Sequence, residues 1–340
     1  MGQRIKYLDA IRGFAIILVV MGHAIAWSYT DWHEICLYAS SQPLNYKIGG
    51  MVWQIIYSFH MALFFVVSGF LSGNSIVTKQ SIISKVQNKV IRLFIPYLAT
   101  GYLIYFVRGN WGYWFLFALF IVSLLWLCIS LLLNRINHHH SIWIDIVVMG
   151  MFYFLLRLLA YYIPVTGIVL NSNVLKYFVP FCFGVLMKRH KGMAKMVQSP
   201  YTFTICLILF VLLFSTRYFT DYPILYKTIE KVNFFTSVLA ILACVVVFHM
   251  FLEGVPQKYE KCLAYLGRNS LPIYILHILF VIQIHEVGCF ILQQNAVTSI
   301  TLQIIYSVVV SVIAISLSLF TYRVLRHSAL IRLLMFGEKE

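Results

Sequence analysis

The sequence predicts an all-α, polytopic membrane protein: about ten transmembrane helices around a central cavity. Three observations predict it. Of 340 residues, 61% are hydrophobic and only 11% are charged, where a soluble domain carries about 25% charged residues. Apolar runs of roughly 18 to 25 residues recur from end to end, each long enough to cross a bilayer. The basic residues gather in alternate loops, as orientation by positive charge on the cytoplasmic side requires.

The first run, 8–29, contains "RGFAIILVVMGHAIAW". Its internal arginine and histidine mark it as a retained helix and not a cleaved signal peptide. The further runs are 49–73, 93–108, 112–133, 142–163, 173–188, 200–218, 232–251, 269–288 and 301–323. Three loops are longer than the rest: 30–47, 74–92 and 219–231. In the second, Ile82, Val86, Val90 and Leu93 form a helical stripe, with Lys85, Lys89 and Arg92 on another face. That pattern predicts an amphipathic helix over about 78–92, lying on the cytoplasmic surface and turning into span three near Pro96. No internal repeat interrupts the chain, so 1–340 reads as one transmembrane domain.

The net charge of +15 invites a nucleic-acid reading. Most of the 26 Lys and Arg, however, fall on one side of the ten runs. The positive-inside rule accounts for them, puts both termini in the cytoplasm and leaves no call for nucleic acid. Seven cysteines are scattered without a CxxC pair, which suits apolar packing. The "HHH" of 138–140 reads as a polar turn, and no metal is expected.

Ionisable side chains inside spans are costly and face an interior cavity or a partner. They are Asp9, Arg12, His23, His60, Arg157, His249, His277, His285 and Glu286. Eleven residues separate His23 from Arg12, roughly 16 Å and only about 20° beyond three full turns, so both lie on one face. Asp9 is one turn below Arg12 and can pair with it. His60, half-way along the antiparallel second span, reaches a depth similar to that of His23. Interhelical hydrogen bonding alone would explain a single histidine, and snorkelling alone would explain Arg12. A guanidinium as deep as Arg157 needs a partner or water. Together these positions describe a cavity with a basic mouth and a histidine near mid-membrane. A coenzyme A ester suits it, with phosphates on Lys89, Arg92 and Arg12 and a thioester carried upward on the pantetheine arm. A neutral His23 at the far end would act as general base on an acceptor hydroxyl.

The segments "YLDAIRGFAIILVVMGH" (7–23), "FHMALFFVVSGFL" (59–71), "KVIRLFIPY" (89–97), "YWFLFALF" (113–120) and "LGRNSLPIYILH" (266–277) carry a family likeness. In their order and spacing the chain resembles the acyltransferase-3 family of integral membrane acyltransferases. The resemblance implies about ten transmembrane helices and transfer of an acyl group. The group is usually acetyl from acetyl-CoA, and the acceptor a hydroxyl of a carbohydrate or glycolipid of the cell envelope. It implies essential roles for His23 and Arg12, and donor binding by Lys89 and Arg92. Lys89 often aligns with arginine in the family and lacks bidentate phosphate recognition. A bacterial cytoplasmic membrane is the expected location, with lipid and acyl-CoA as partners and a homo-oligomer left open.

Ser68 and Gly69 form a small pair that either lines the donor arm's path or lets two helices pack tightly. Trp114 and Tyr274 read as packing residues near the cavity. Glu34, a further eleven residues beyond His23, shares its face if the helix continues unbroken. Should the chain bend back instead, Glu34 or Asp31 would reach the imidazole and fix its tautomer. The rival reading is a multi-span transporter of a glycan or small solute, relaying protons through His23, His60 and Arg157. The absence of visible inverted repeats and paired broken helices speaks against it.

Overall fold

The computed structural model describes residues 6–26, 50–73, 79–108, 112–137, 141–219 and 233–338. Among them all regular structure is helical. Among the described residues, six helices are each long and apolar enough to cross a membrane: Lys6–Ala24, Gly50–Ser72, Trp114–Ile136, Ile142–Tyr162, Phe235–Gly254 and Ala296–Leu325. A seventh crossing arises if Lys191–Gln198 and Pro200–Ser215, bent by 72°, form one span. The architecture is an all-α polytopic membrane fold.

Two of the expected spans end differently. The first helix, α1 (Lys6–Ala24), stops just after His23, which therefore occupies its last turn and not its middle. A helix carried unbroken to Glu34 does not form, and Glu34 and Asp31 lie outside the described residues. The run 269–288 is not one helix. It divides into Ser270–Phe280 and His285–Gln293, with residues 281–284 non-helical between them.

In chain order the helices that position the candidate site are α1 (Lys6–Ala24), α2 (Gly50–Ser72) and α3 (Lys79–Lys89). A π-helical turn (Val90–Phe94) leads into α4 (Ile95–Arg108). Next come α5 (Trp114–Ile136), α6 (Ile142–Tyr162), α7 (Pro164–Val169), α8 (Ser172–Arg189), α9 (Lys191–Gln198) and α10 (Pro200–Phe219). The last are α11 (Asn233–Gly254), α12 (Gln257–Arg268), α13 (Ser270–Phe280), α14 (His285–Gln293), α15 (Ala296–Leu325) and α16 (Ala329–Phe336).

The chain divides into two compact units, Met1–Met61 with Val255–Arg326, and Ala62–Gly254 with His327–Glu340. In the first, α1 and α12 cross backbone to backbone. A Cβ on Gly13 would meet the Leu263 carbonyl, and one on Gly267 would meet the Asp9 carbonyl. Without a hydrophobic drive between helices in lipid, such small-residue contacts are how the helices come close. α15 buries a polar stripe of Ser299, Gln303, Ser307, Ser311 and Ser318. The hydroxyls of Ser307 and Ser318 donate to carbonyls of their own helix, as a dry interior requires.

The second unit repeats the device. A Cβ on Gly69 would meet the Phe181 carbonyl, and one on Gly184 would meet the Val66 carbonyl, so α2 and α8 touch along their backbones. At the ends of α5, α6 and α8 a charge is fully buried. Asp145 accepts from Arg189 Nε at 2.7 Å, from His190 Nε2 at 2.9 Å and from Asn137 Nδ2 at 2.8 Å. Three donors on one carboxylate offset its desolvation and tie three helix ends together. His249 on α11 donates through Nδ1 to the Val197 carbonyl at 3.2 Å and stacks on Phe203, a bond that links helices.

Candidate active site

At the base of the first unit, Asp9 and Arg12 form the ion pair that their spacing predicts, at 3.9 Å. Asp9 is buried and Arg12 keeps part of its side chain exposed. The α12 crossing fixes this part of α1, because Gly267 sits on the Asp9 backbone.

Three turns on, His23 meets a second histidine. The ring centroids of His23 and His277 are 5.1 Å apart and the planes stand at 89°. Tyr57 lies 6.3 Å from His23 on another side. Tyr57 stacks on Trp53 at 4.0 Å and meets His60 edge-on at 4.8 Å. Tyr274, one turn before His277, has its ring 6.0 Å away. Depth along the spans puts His60 level with His23; the structure brings His277 against His23 and His60 against Tyr57.

Two tautomers follow from these contacts. His60 Nδ1 lies 2.7 Å from the Ile56 carbonyl and His277 Nδ1 lies 3.0 Å from the Ile273 carbonyl. A carbonyl only accepts, so each Nδ1 carries the proton, and in the neutral ring Nε2 keeps its lone pair. His277 is fully buried. A fixed, dry imidazole with a basic Nε2 beside His23 is chemistry that can hold or pass a proton.

The break at 281–284 is part of this arrangement. Gln283 Nε2 donates to the His23 carbonyl at 2.7 Å, satisfying one of the orphan acceptors at the end of α1. Tyr306 on α15 donates to the Ile282 carbonyl at 2.9 Å and accepts from Ile284 N–H at 3.4 Å. Non-helical backbone in a membrane protein needs such partners.

In the second unit Lys89 ends α3 and Arg92 lies within the π-helical turn. Pro96 explains the turn: it has no N–H to give the preceding residues and its ring clashes with an α-helical carbonyl four residues back. The i+5 bond from Ile95 N–H to the Val90 carbonyl replaces the regular pattern. Phe94 stacks on Phe120 at 5.0 Å and Tyr97 lies 5.3 Å from Phe117, fixing the turn against α5. Arg92 is exposed and Lys89 is half-buried. Nearby on α3, desolvation draws the Lys85 ammonium below the usual lysine range.

The remaining expected residues of this unit are dispersed. Arg157 sits on an exposed face of α6, five residues from its end, within snorkelling reach of a headgroup. Gly69 is used by packing against α8, and Ser68 is half-buried beside it. Trp114 stacks on Tyr177 at 5.4 Å, which in turn stacks on Phe65 at 4.8 Å. Among the described residues no cluster of three or more His, Cys, Asp or Glu is placed to hold a metal.

A family model described as an acyltransferase domain matches residues 5–323. The chain belongs to the acyltransferase-3 family. No curated protein matches it, and no solved structure does. The acyltransferase-3 match runs from before Asp9 into the last turn of α15, so it takes in His23, His277 and the Lys89–Arg92 segment alike. Membership makes this a membrane acyltransferase by family.

Proposed function

We propose that the protein transfers an acyl group, acetyl first among them, from acyl-CoA to a hydroxyl of a cell-envelope carbohydrate or glycolipid. The observation that carries the reading is the His23–His277 pair on an acyltransferase-3 chain. In the reaction, His23 removes the acceptor's hydroxyl proton as the oxygen attacks the thioester carbonyl. The tetrahedral centre collapses, the carbon–sulfur bond breaks, and the coenzyme A thiolate takes the proton from the imidazolium. His277 orients His23 and shares its charge environment. Arg12, held by Asp9, serves the donor side of α1.

The family resemblance assigns Lys89 and Arg92 to donor phosphates, where charge-assisted bonds are strong. The exposed Arg92 on a π-helical turn supports that role, since such turns recur at functional sites. The amphipathic α3 lies on the cytoplasmic surface in this reading. Both termini are then cytoplasmic and the membrane is the bacterial inner one.

A transporter is the second reading, and the break at 281–284 is the observation that favours it, because discontinuous helices form many transport sites. Purified protein in detergent, given acetyl-CoA and a hydroxylated sugar, decides between them. Release of free coenzyme A thiol with ester formation is the expected result. Failure to bind coenzyme A or to consume acetyl-CoA would refute the enzyme reading.

A further inference from the structure

The C-terminal helix α16 lies beyond the residues that the family model matches, yet it ends against the most distinctive backbone of the second unit. Ser328 caps its start, accepting from Ile331 N–H at 3.4 Å. Its end is closed by Gly337 at φ +62°, whose N–H donates to the Leu333 carbonyl at 3.0 Å. This left-handed cap is a position that glycine fills at no steric cost.

Gly337 answers a second demand as well. A Cβ there would lie 2.5 Å from the Ile91 carbonyl oxygen, 2.7 Å from Arg92 Cα and 3.2 Å from Pro96 Cγ. All three belong to the π-helical turn or the proline that produces it. The first two are backbone atoms that no rotamer change can move aside. Phe336, the residue before, is buried and anchors the helix end. The turn carrying Arg92 is thus held from one side by α5, through Phe94 and Phe120, and from another by the end of α16.

We propose that Gly337 and α16 are positioning elements for the donor, holding the Val90–Phe94 turn so that Arg92 presents its guanidinium to a coenzyme A phosphate. The inference rests on the donor-binding reading of Lys89 and Arg92. A shift of about 1 Å in a positioning element can cost up to a hundredfold, so the width of one methyl group at Gly337 is enough to matter.

The test is steady-state kinetics with acetyl-CoA and titration with coenzyme A, on detergent-purified protein checked for monodispersity and melting temperature. Gly337→Ala and Gly337→Asn are compared. Asparagine tolerates the left-handed conformation but still inserts a Cβ, so close contact predicts that both fail. Each should raise the KM for acetyl-CoA on the order of tenfold or more, while kcat at saturating donor and the acceptor KM stay put. Gly254→Asn is the control. Gly254 also has a positive φ, but nothing lies within 4 Å of a Cβ there, so donor KM should not change. Should the Gly337 variants fail to fold, Phe336→Leu thins the buried packing at the end of α16 without inserting an atom, and donor KM should rise in the same direction.

Arg92→Ala separates the two claims. If it weakens donor binding and adding Gly337→Ala costs little more, the two act through one element and the inference stands. If Arg92→Ala weakens donor binding but folded Gly337→Ala and Phe336→Leu bind as wild type does, the inference fails and the donor reading survives. If Arg92→Ala leaves coenzyme A affinity unchanged, the donor reading fails and takes the inference with it.

Discussion

The imidazole of His277 stands edge-on to that of His23, with centroids 5.1 Å apart and planes at 89°. The two residues are far apart in sequence, on α13 and in the last turn of α1. In the proposed reaction the pair would act as a small proton-handling unit, and one member has its tautomer set by the Ile273 carbonyl.

Replacing His277 should therefore impair transfer without removing the base itself. His277→Gln is expected to lower turnover about tenfold to a hundredfold and to change the shape of the pH–rate profile, because His23 then faces an amide that neither takes up nor releases a proton. A merely structural histidine would lower stability and leave the profile unaltered. Rates measured across pH, at saturating acetyl-CoA, distinguish the two.

Gln283 tests whether the helix break serves His23. Gln283→Glu keeps the shape, but an ionised carboxylate cannot donate to the His23 carbonyl that now receives a 2.7 Å bond. The end of α1 loses a partner, a loss of about 0.5–1.5 kcal/mol, and turnover should fall with it. Unchanged turnover and unchanged melting would show that the contact is incidental.

Asp145 is expected to serve stability. Its carboxylate is fully buried among Arg189, His190 and Asn137. Asp145→Ala leaves the largely buried Arg189 guanidinium without a counter-charge, which typically costs about 3–5 kcal/mol. Thermal melting in detergent should show a clear drop, with acetyl-CoA KM near wild type in whatever protein remains folded.

The all-α membrane fold and the pairing of Asp9 with Arg12 were legible because both follow from local periodicity. Hydropathy marks the apolar runs, and the i,i+3 spacing does bring Asp9 to Arg12. The break after His277 was not legible. Its residues, "VIQI", are apolar and contain neither glycine nor proline, and what stabilises it is tertiary: Tyr306 from α15 and the end of α1. The π-helical turn had one local signal, Pro96, which bends the reading toward a kink without giving its type. Neither the meeting of His277 with His23 nor the gathering of Arg189 and His190 on Asp145 has any local signature. Both depend on which helices pack side by side.

The most direct measurement is turnover of acetyl-CoA by purified His23→Ala beside wild type, with melting temperature recorded on the same samples. A lost general base costs about 10² to 10⁴ in rate, so the variant should stay folded, still bind coenzyme A and transfer almost nothing. Wild-type turnover by folded His23→Ala would contradict the assignment of His23 as the base.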